Sequence, residues 1–180
     1  AKQGLRASAT SDTYANSLMK IISNRSAIGC LVGTAFRNAS FAALLYYGWA
    51  FTIERFGLSV GFASIVILLA ALFFTLGSLT CSSVIRKLGR RSSTSAAVLL
   101  AGLFTISYAY APYIWLSVAL MSIAGWFYGL ATSAFTSLTL EQMPELRGTM
   151  MSLAYAFVGV GFAIGAAIGG LTLILYDLSL

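Results

Sequence analysis

The sequence contains no histidine, and only five acidic residues, two cysteines and two prolines in 180 positions. Lacking histidine, it lacks the commonest transition-metal ligand and the usual neutral-pH base. Cys30 and Cys81 stand far apart, so neither a disulfide framework nor a cysteine metal knuckle is indicated. No Ser/His, paired-Asp or metal-ligand set lies in the apolar stretches, which argues against an enzyme and leaves no cofactor or metal to expect. Charged residues make up 9% of the chain and hydrophobic ones 59%. A soluble domain is roughly a quarter charged, so this chain has too little polar surface to coat a globule in water.

What is present is a series of long apolar runs. They extend from about Ala27 to Ile53, Leu58 to Val84, Ser93 to Tyr110, Ile114 to Leu140 and Thr149 to Tyr176. Each has the roughly 18 residues that a helix needs to cross a hydrocarbon core about 30 Å thick. They are too long and too unalternating for barrel strands. The expected fold class is therefore all-α, a polytopic helical membrane bundle with five transmembrane helices. Residues 1–25 are read as a cytoplasmic loop, and residues 26–180 as the transmembrane bundle. Within the loop, Tyr14, Leu18, Ile21 and Ile22 fall near helical spacing behind a Ser11 or Asp12 cap, which predicts a short amphipathic surface helix. A disordered tail is the alternative. The polar opening at Ala1 reads as the continuation of a longer chain.

The net charge of +6 could suggest nucleic acid, but its distribution points elsewhere. Lys2, Arg6, Lys20, Arg25, Arg86, Lys87, Arg90, Arg91 and Arg147 all fall on one side of a five-crossing chain. The other side has Arg55 alone, and Arg37 lies inside a run. By the positive-inside rule the N-terminus is cytoplasmic, and the expected contacts of these cations are lipid head groups rather than nucleic acid. Tyr46, Tyr47 and Trp49 read as interfacial aromatic anchors.

Three patterns add detail. Gly161, Gly165 and Gly169 recur every fourth residue, giving one helix face on which another backbone can approach closely. Gly125 and Gly129 form a second such pair. Two short hairpin loops carry the charge: SSVIRKLGRRSS, turning at Gly89 beside Arg90 and Arg91, and PELRG, where Pro144 ends one run and Arg147-Gly148 opens the next. Packing is the first reading of these glycines, and a hinge or gate the second.

Arg37 is the most informative single residue. It stands twelve residues from Arg25 and twelve from Trp49, about 18 Å along a helix from either. A cation at that depth costs at least about 2.5–3.5 kcal/mol. It calls for a water-filled cavity, a counter-ion or an anionic ligand. None of the five acids lies at comparable depth. Thr34 and Asn38 are polar neighbours on the same helix, and Tyr128 and Tyr155 are further hydrogen-bonding candidates in later runs, with apolar packing around a satisfied hydroxyl as their alternative.

The loops and the glycine ladder together resemble the major facilitator superfamily, and specifically spans seven to eleven of the twelve in such a transporter. Ser82–Arg91 is similar to the family's G-x-x-x-D-R-x-G-R-R signature, with Lys87, Gly89, Arg90 and Arg91 matching. Ser82 stands for the glycine and Arg86 for the aspartate. Gly161-x-x-x-Gly165-Ala166-x-x-Gly169-Gly170 resembles its G-x-x-x-G-P-x-x-G-G pattern with alanine for proline. The resemblance implies the C-terminal portion of a secondary transporter, with its last helix absent, partnered by an N-terminal six-helix half. It would carry a small polar or organic solute, anionic on the strength of Arg37, and be coupled to a proton or sodium ion or to neither. The expected location is the plasma membrane. A non-transporting membrane scaffold or receptor-like subunit is the alternative.

Overall fold

A computed structural model describes residues 14–177, with the side chains of Trp49, Leu173, Leu175, Tyr176 and Asp177 left aside. The proposed Ser11 or Asp12 cap lies outside the described residues. Helix α1 covers residues 14–23. It is followed by α2 (Arg25–Phe56), α3 (Val60–Leu88), α4 (Arg90–Ala109), α5 (Ile114–Gln142), a 3-10 turn at Pro144–Leu146, and α6 (Arg147–Asp177). No strand occurs among the described residues. Five of the helices, α2 to α6, are long and apolar enough to cross a membrane. The chain is an all-α, multi-pass membrane bundle.

Local chemistry sets the helix ends, and it places most of them a few residues beyond the apolar runs, although α3 starts inside its run at Val60 and α4 ends inside its run at Ala109. Asn24 caps α2, its side-chain oxygen accepting from the backbone N–H of Ser26 (3.0 Å) and Ala27 (3.2 Å). Gly57 ends that helix in the left-handed region (φ 62°), where a residue with a Cβ is disfavoured. Between α3 and α4 the whole connection is Gly89, at φ 77°. That single residue lets α3 run on to Leu88 and α4 begin at Arg90 rather than Ser93. Hydropathy sees only the apolar part of each helix, so the charged terminal turns escape it.

Two pairs of helices meet along backbones stripped of side chains. Between α3 and α5, a Cβ on Gly125 would lie 2.6 Å from the Ala70 carbonyl oxygen, and one on Gly129 would lie 1.9 Å from that of Phe74. Gly77 is equally close to the Trp126 carbonyl, and the Ser78 and Ser133 hydroxyls hydrogen-bond across the seam at 2.6 Å. Between α2 and α6, Gly161 faces the Ala35 carbonyl and Gly165 that of Ala39. In both seams the contacts advance four residues for four, as only parallel helices allow. Close backbone approach is how membrane helices gain dispersion contacts when lipid is as apolar as they are. The α4 helix instead runs antiparallel to α5, with Phe104 stacked on Phe127 (5.5 Å, 8°) near the middle and Arg90 paired with Glu141 at the end.

Large apolar side chains cover the outside. Phe36, Leu79, Leu99 and Trp115 are each more than 70% exposed, as lipid-facing residues are and as a water-soluble surface would not tolerate. The α5 helix is the most enclosed of the five. The α1 helix seats Ile21, fully buried, against Ala27, Leu31 and Met150 at the ends of α2 and α6. Tyr14, Met19 and Ile22 stay exposed on its other side.

The structure corrects the reading of Tyr47 as an interfacial anchor. Its ring lies over Gly169 and Gly170, and its hydroxyl donates to the Ala166 carbonyl at 2.8 Å. Because α2 runs on to Phe56, Tyr47 sits about 13 Å inside the helix end. Tyr46 is half exposed and meets Phe162 edge-on (6.3 Å).

Candidate functional site

Where α2, α5 and α6 converge they leave a cavity of about 200 Å³. From α2 come Thr34, Arg37 and Asn38; from α5 Thr132, Phe135, Thr136 and Thr139; from α6 Met151, Ala154, Tyr155 and Val158. Its position follows from the register of α2 against α5. Ser26 bonds Gln142 at one end. Eleven residues up α2 and ten back along α5, Arg37 meets Thr132. Next, Ser40 meets the Tyr128 hydroxyl at 2.7 Å.

The Arg37 guanidinium donates from Nη1 to Thr132 Oγ1 and lies 5.8 Å from the centroid of the Phe135 ring. Its Nε is buried and has no hydrogen-bond partner among the described residues. Among the described residues no carboxylate lines the cavity. A hydrogen bond to a charged group contributes about 1.5–3 kcal/mol and a cation–π contact about 0.5–2 kcal/mol. Those gains are comparable to the cost of placing arginine at this depth. The charge is therefore tolerated with no carboxylate partner among the described residues.

Space around Arg37 is preserved by a small residue. A Cβ on Gly33 would come within 2.8 Å of the Phe135 ring, so glycine here lets the ring lie beside the guanidinium. The threonines keep their own protons occupied. Thr34, Thr132, Thr136 and Thr139 donate to the carbonyls of Cys30, Tyr128, Thr132 and Phe135 at 2.7–2.9 Å. Asn38 Nδ2 donates to the Thr34 carbonyl at 2.7 Å.

Of the five residues singled out for solute contact, four line this cavity: Thr34, Arg37, Asn38 and Tyr155. Tyr155 is 68% exposed on the α6 rim. Tyr128 is 3% exposed and does not line the cavity; its hydroxyl pairs with Ser40 and its ring packs on Phe41 (5.3 Å). Sequence reasoning missed Thr132, Phe135, Thr136 and Thr139. The signal was there: Thr132, Thr136 and Thr139 follow Tyr128 at helical spacing, which puts four hydroxyls on one stripe.

Gly89, Arg90 and Arg91 surround a second, more open depression of about 600 Å³ at the helix ends, with Leu138, Glu141 and Gln142 across from them. It is larger, but Arg90 and Glu141 pair with each other there and both are nearly half exposed. Arg147 and Gly148 open α6 and are exposed; a methyl added to Gly148 would meet nothing within 4 Å. Gly161, Gly165 and Gly169 lie along the α2 seam, with Gly169 under the Tyr47 ring.

Five apolar spans, parallel glycine seams and an arginine-bearing cavity between helices form the setting for a comparison with known proteins. Residues 6–178 match the family model of the Major Facilitator Superfamily. The chain belongs to that superfamily. No curated protein and no solved structure matches it. As a major facilitator protein it is an integral membrane protein of a family that transports small solutes. Among the described residues no group of histidine, cysteine, aspartate or glutamate could hold a metal ion.

Proposed function

We propose that this chain is the C-terminal portion of a secondary active transporter, equivalent to spans seven to eleven of twelve. It works with an N-terminal six-helix half by alternating access, moving a small polar or organic anion. The observation that carries this reading is Arg37, a membrane-embedded cation whose cavity contains no acid and whose Nε has no partner among the described residues. Intramembrane ionisable residues mark solute pathways because their cost is otherwise uncompensated. Substrate sites of such transporters lie near the midplane between repeats, and the cavity lies on α2, α5 and α6, some ten residues from the cytoplasmic helix ends. With no acid in this cavity, any coupling proton or sodium ion binds in the other half. The chain sits in the plasma membrane with its N-terminal segment, residues 1–25, on the cytoplasmic side.

The test is uptake into proteoliposomes containing the intact transporter, with a panel of labelled organic anions, cations and neutral solutes. Arg37→Ala is expected to reduce anion uptake at least about tenfold, the equivalent of roughly 1.4 kcal/mol. Arg37→Lys is expected to retain part of it. Undiminished anion uptake by the alanine variant would remove Arg37 from the site.

A further inference from the structure

We infer that the anion taken by this cavity is a monocarboxylate whose other end carries hydrogen-bond donors, a hydroxylated or amino acid chain. Simple fatty acids, dicarboxylates and inorganic phosphate fit it poorly. The inference rests on the anion-transport reading above and adds to it the pattern of donors and acceptors in the cavity wall.

Arg37 is the one cation lining the cavity among the described residues. Its Nη1 donates to Thr132 and its Nε is buried without a partner among the described residues, so a ligand in the cavity meets the rest of the guanidinium. One carboxylate satisfies it, and a second negative charge would find no further cation among the described residues. The rest of the polar lining is of the opposite kind. Each of the four threonines gives its hydroxyl proton to a carbonyl of its own helix. A hydroxyl has one proton and two lone pairs, so these oxygens present lone pairs to their surroundings. Thr132 shows the consequence, since its oxygen accepts from Arg37 while its proton goes to Tyr128. Asn38 has likewise turned its amide nitrogen to Thr34, which leaves its oxygen as an acceptor.

Beyond the guanidinium, the accessible polar wall thus offers acceptors, chiefly at Thr136, its exposed threonine, with Thr34, Asn38 and Thr139 buried behind it. A ligand group carrying O–H or N–H bonds matches that surface. A second carboxylate meets lone pairs only, and an alkyl tail leaves them unmet after displacing the water that served them. Met151, Ala154 and Val158 close the α6 side with apolar surface, against which the carbon chain lies. Tyr155 at the rim is the remaining hydroxyl.

Four probes with six-carbon chains separate these cases: gluconate, 6-aminohexanoate, hexanoate and adipate, each measured for binding to the intact transporter in lipid nanodiscs. Gluconate or 6-aminohexanoate is expected to bind at least about tenfold more tightly than hexanoate and adipate, because a site arranged for hydrogen bonding rejects analogues that lack the group. Thr136→Val should weaken gluconate or 6-aminohexanoate and, with one unmet acceptor removed, tighten hexanoate if anything, cutting that preference severalfold. Thr136→Ser, which keeps the lone pairs, should preserve it. Preference for hexanoate or adipate, with Arg37→Ala abolishing binding, overturns the substrate class and leaves the anion reading intact. Binding that is indifferent to Arg37→Ala overturns the anion reading itself. Failure of all four probes to bind, while other anions are taken up in an Arg37-dependent way, also overturns the class.

Discussion

Arg37 and Tyr128 were both drawn to attention by their position within apolar runs, and the structure treats them differently. Arg37 opens onto a cavity, whereas Tyr128 is enclosed, and its hydroxyl ties α5 to Ser40 of α2 one turn above the Arg37–Thr132 contact. Membrane hydrogen bonds of this kind contribute about 0.6 kcal/mol on average and rarely more than about 1.7. Tyr128→Phe should therefore lower the thermal stability of the detergent-solubilised protein slightly and leave the KM for transported solute unchanged. A tenfold rise in KM with intact stability would instead place the hydroxyl on the solute. Buried tyrosines and cavity tyrosines look identical in a sequence, because what separates them is whether a partner helix covers the ring. That depends on the register of α2 against α5, and no local pattern encodes it.

At the level of helices, the glycines differ in what they face. Gly129 and Gly165 meet backbone carbonyls, at 1.9 Å and 2.2 Å from the site of an added Cβ, and a carbonyl in a helix cannot swing aside as a side chain does. Gly102 on α4 has nothing within 4 Å. Alanine is intrinsically the better helix former, by about 0.5–1 kcal/mol. Overpacking a tight contact typically costs about 1–3 kcal/mol. Gly129→Ala and Gly165→Ala should therefore each lower the melting temperature in detergent, while Gly102→Ala should leave it level or raise it. Equal effects at all three positions would mean that the seams are looser than the backbone distances indicate. The glycine stripes could be read from spacing alone, but their partners could not. Ala35, Ala39, Ala70 and Phe74 contribute only a carbonyl, which every residue has. The threonine stripe of α5 is legible by the same spacing rule, but it lies in a run that is apolar as a whole and so does not stand out. Helix existence followed from length and hydropathy; the helix ends needed Asn24, Gly57 and Gly89, whose chemistry acts outside the apolar run.

For the molecule as a whole, the pairing of helices has a regularity that the chain order hides. The first and last spans, α2 and α6, form one parallel seam, and α3 with α5 forms the other. Exchanging α2 with α5 and α3 with α6 maps each seam onto the other, as an inverted repeat of three helices would require. Such a fold has no intrinsic up or down, so its orientation is decided by loop charge. On one side, Arg25, Arg86, Lys87, Arg91 and Arg147 are all exposed at helix ends. On the other, Arg55 is the one basic residue among the described residues; it is exposed, donates to the Ala109 carbonyl at 2.6 Å and lies within 6 Å of the Phe51 and Phe56 rings. It serves the end of α4 as a cap, where a cation is favoured by the helix dipole, and it is a single cation against the several on the opposite side. The basic side should therefore be cytoplasmic. Single cysteines at Ser92, beside the α3–α4 turn, and at Tyr113, in the α4–α5 loop and 72% exposed, distinguish the two orientations. The native Cys30 and Cys81 are buried and should give little background. In intact cells a membrane-impermeant maleimide should label Tyr113→Cys directly and Ser92→Cys only after permeabilisation. The reverse pattern would invert the topology and place the α1 helix outside. Moving Arg86, Lys87, Arg90 and Arg91 to alanine together should weaken the bias and yield labelling of Ser92→Cys from both sides, because little charge asymmetry beyond the N-terminal segment would then hold the bundle in one direction.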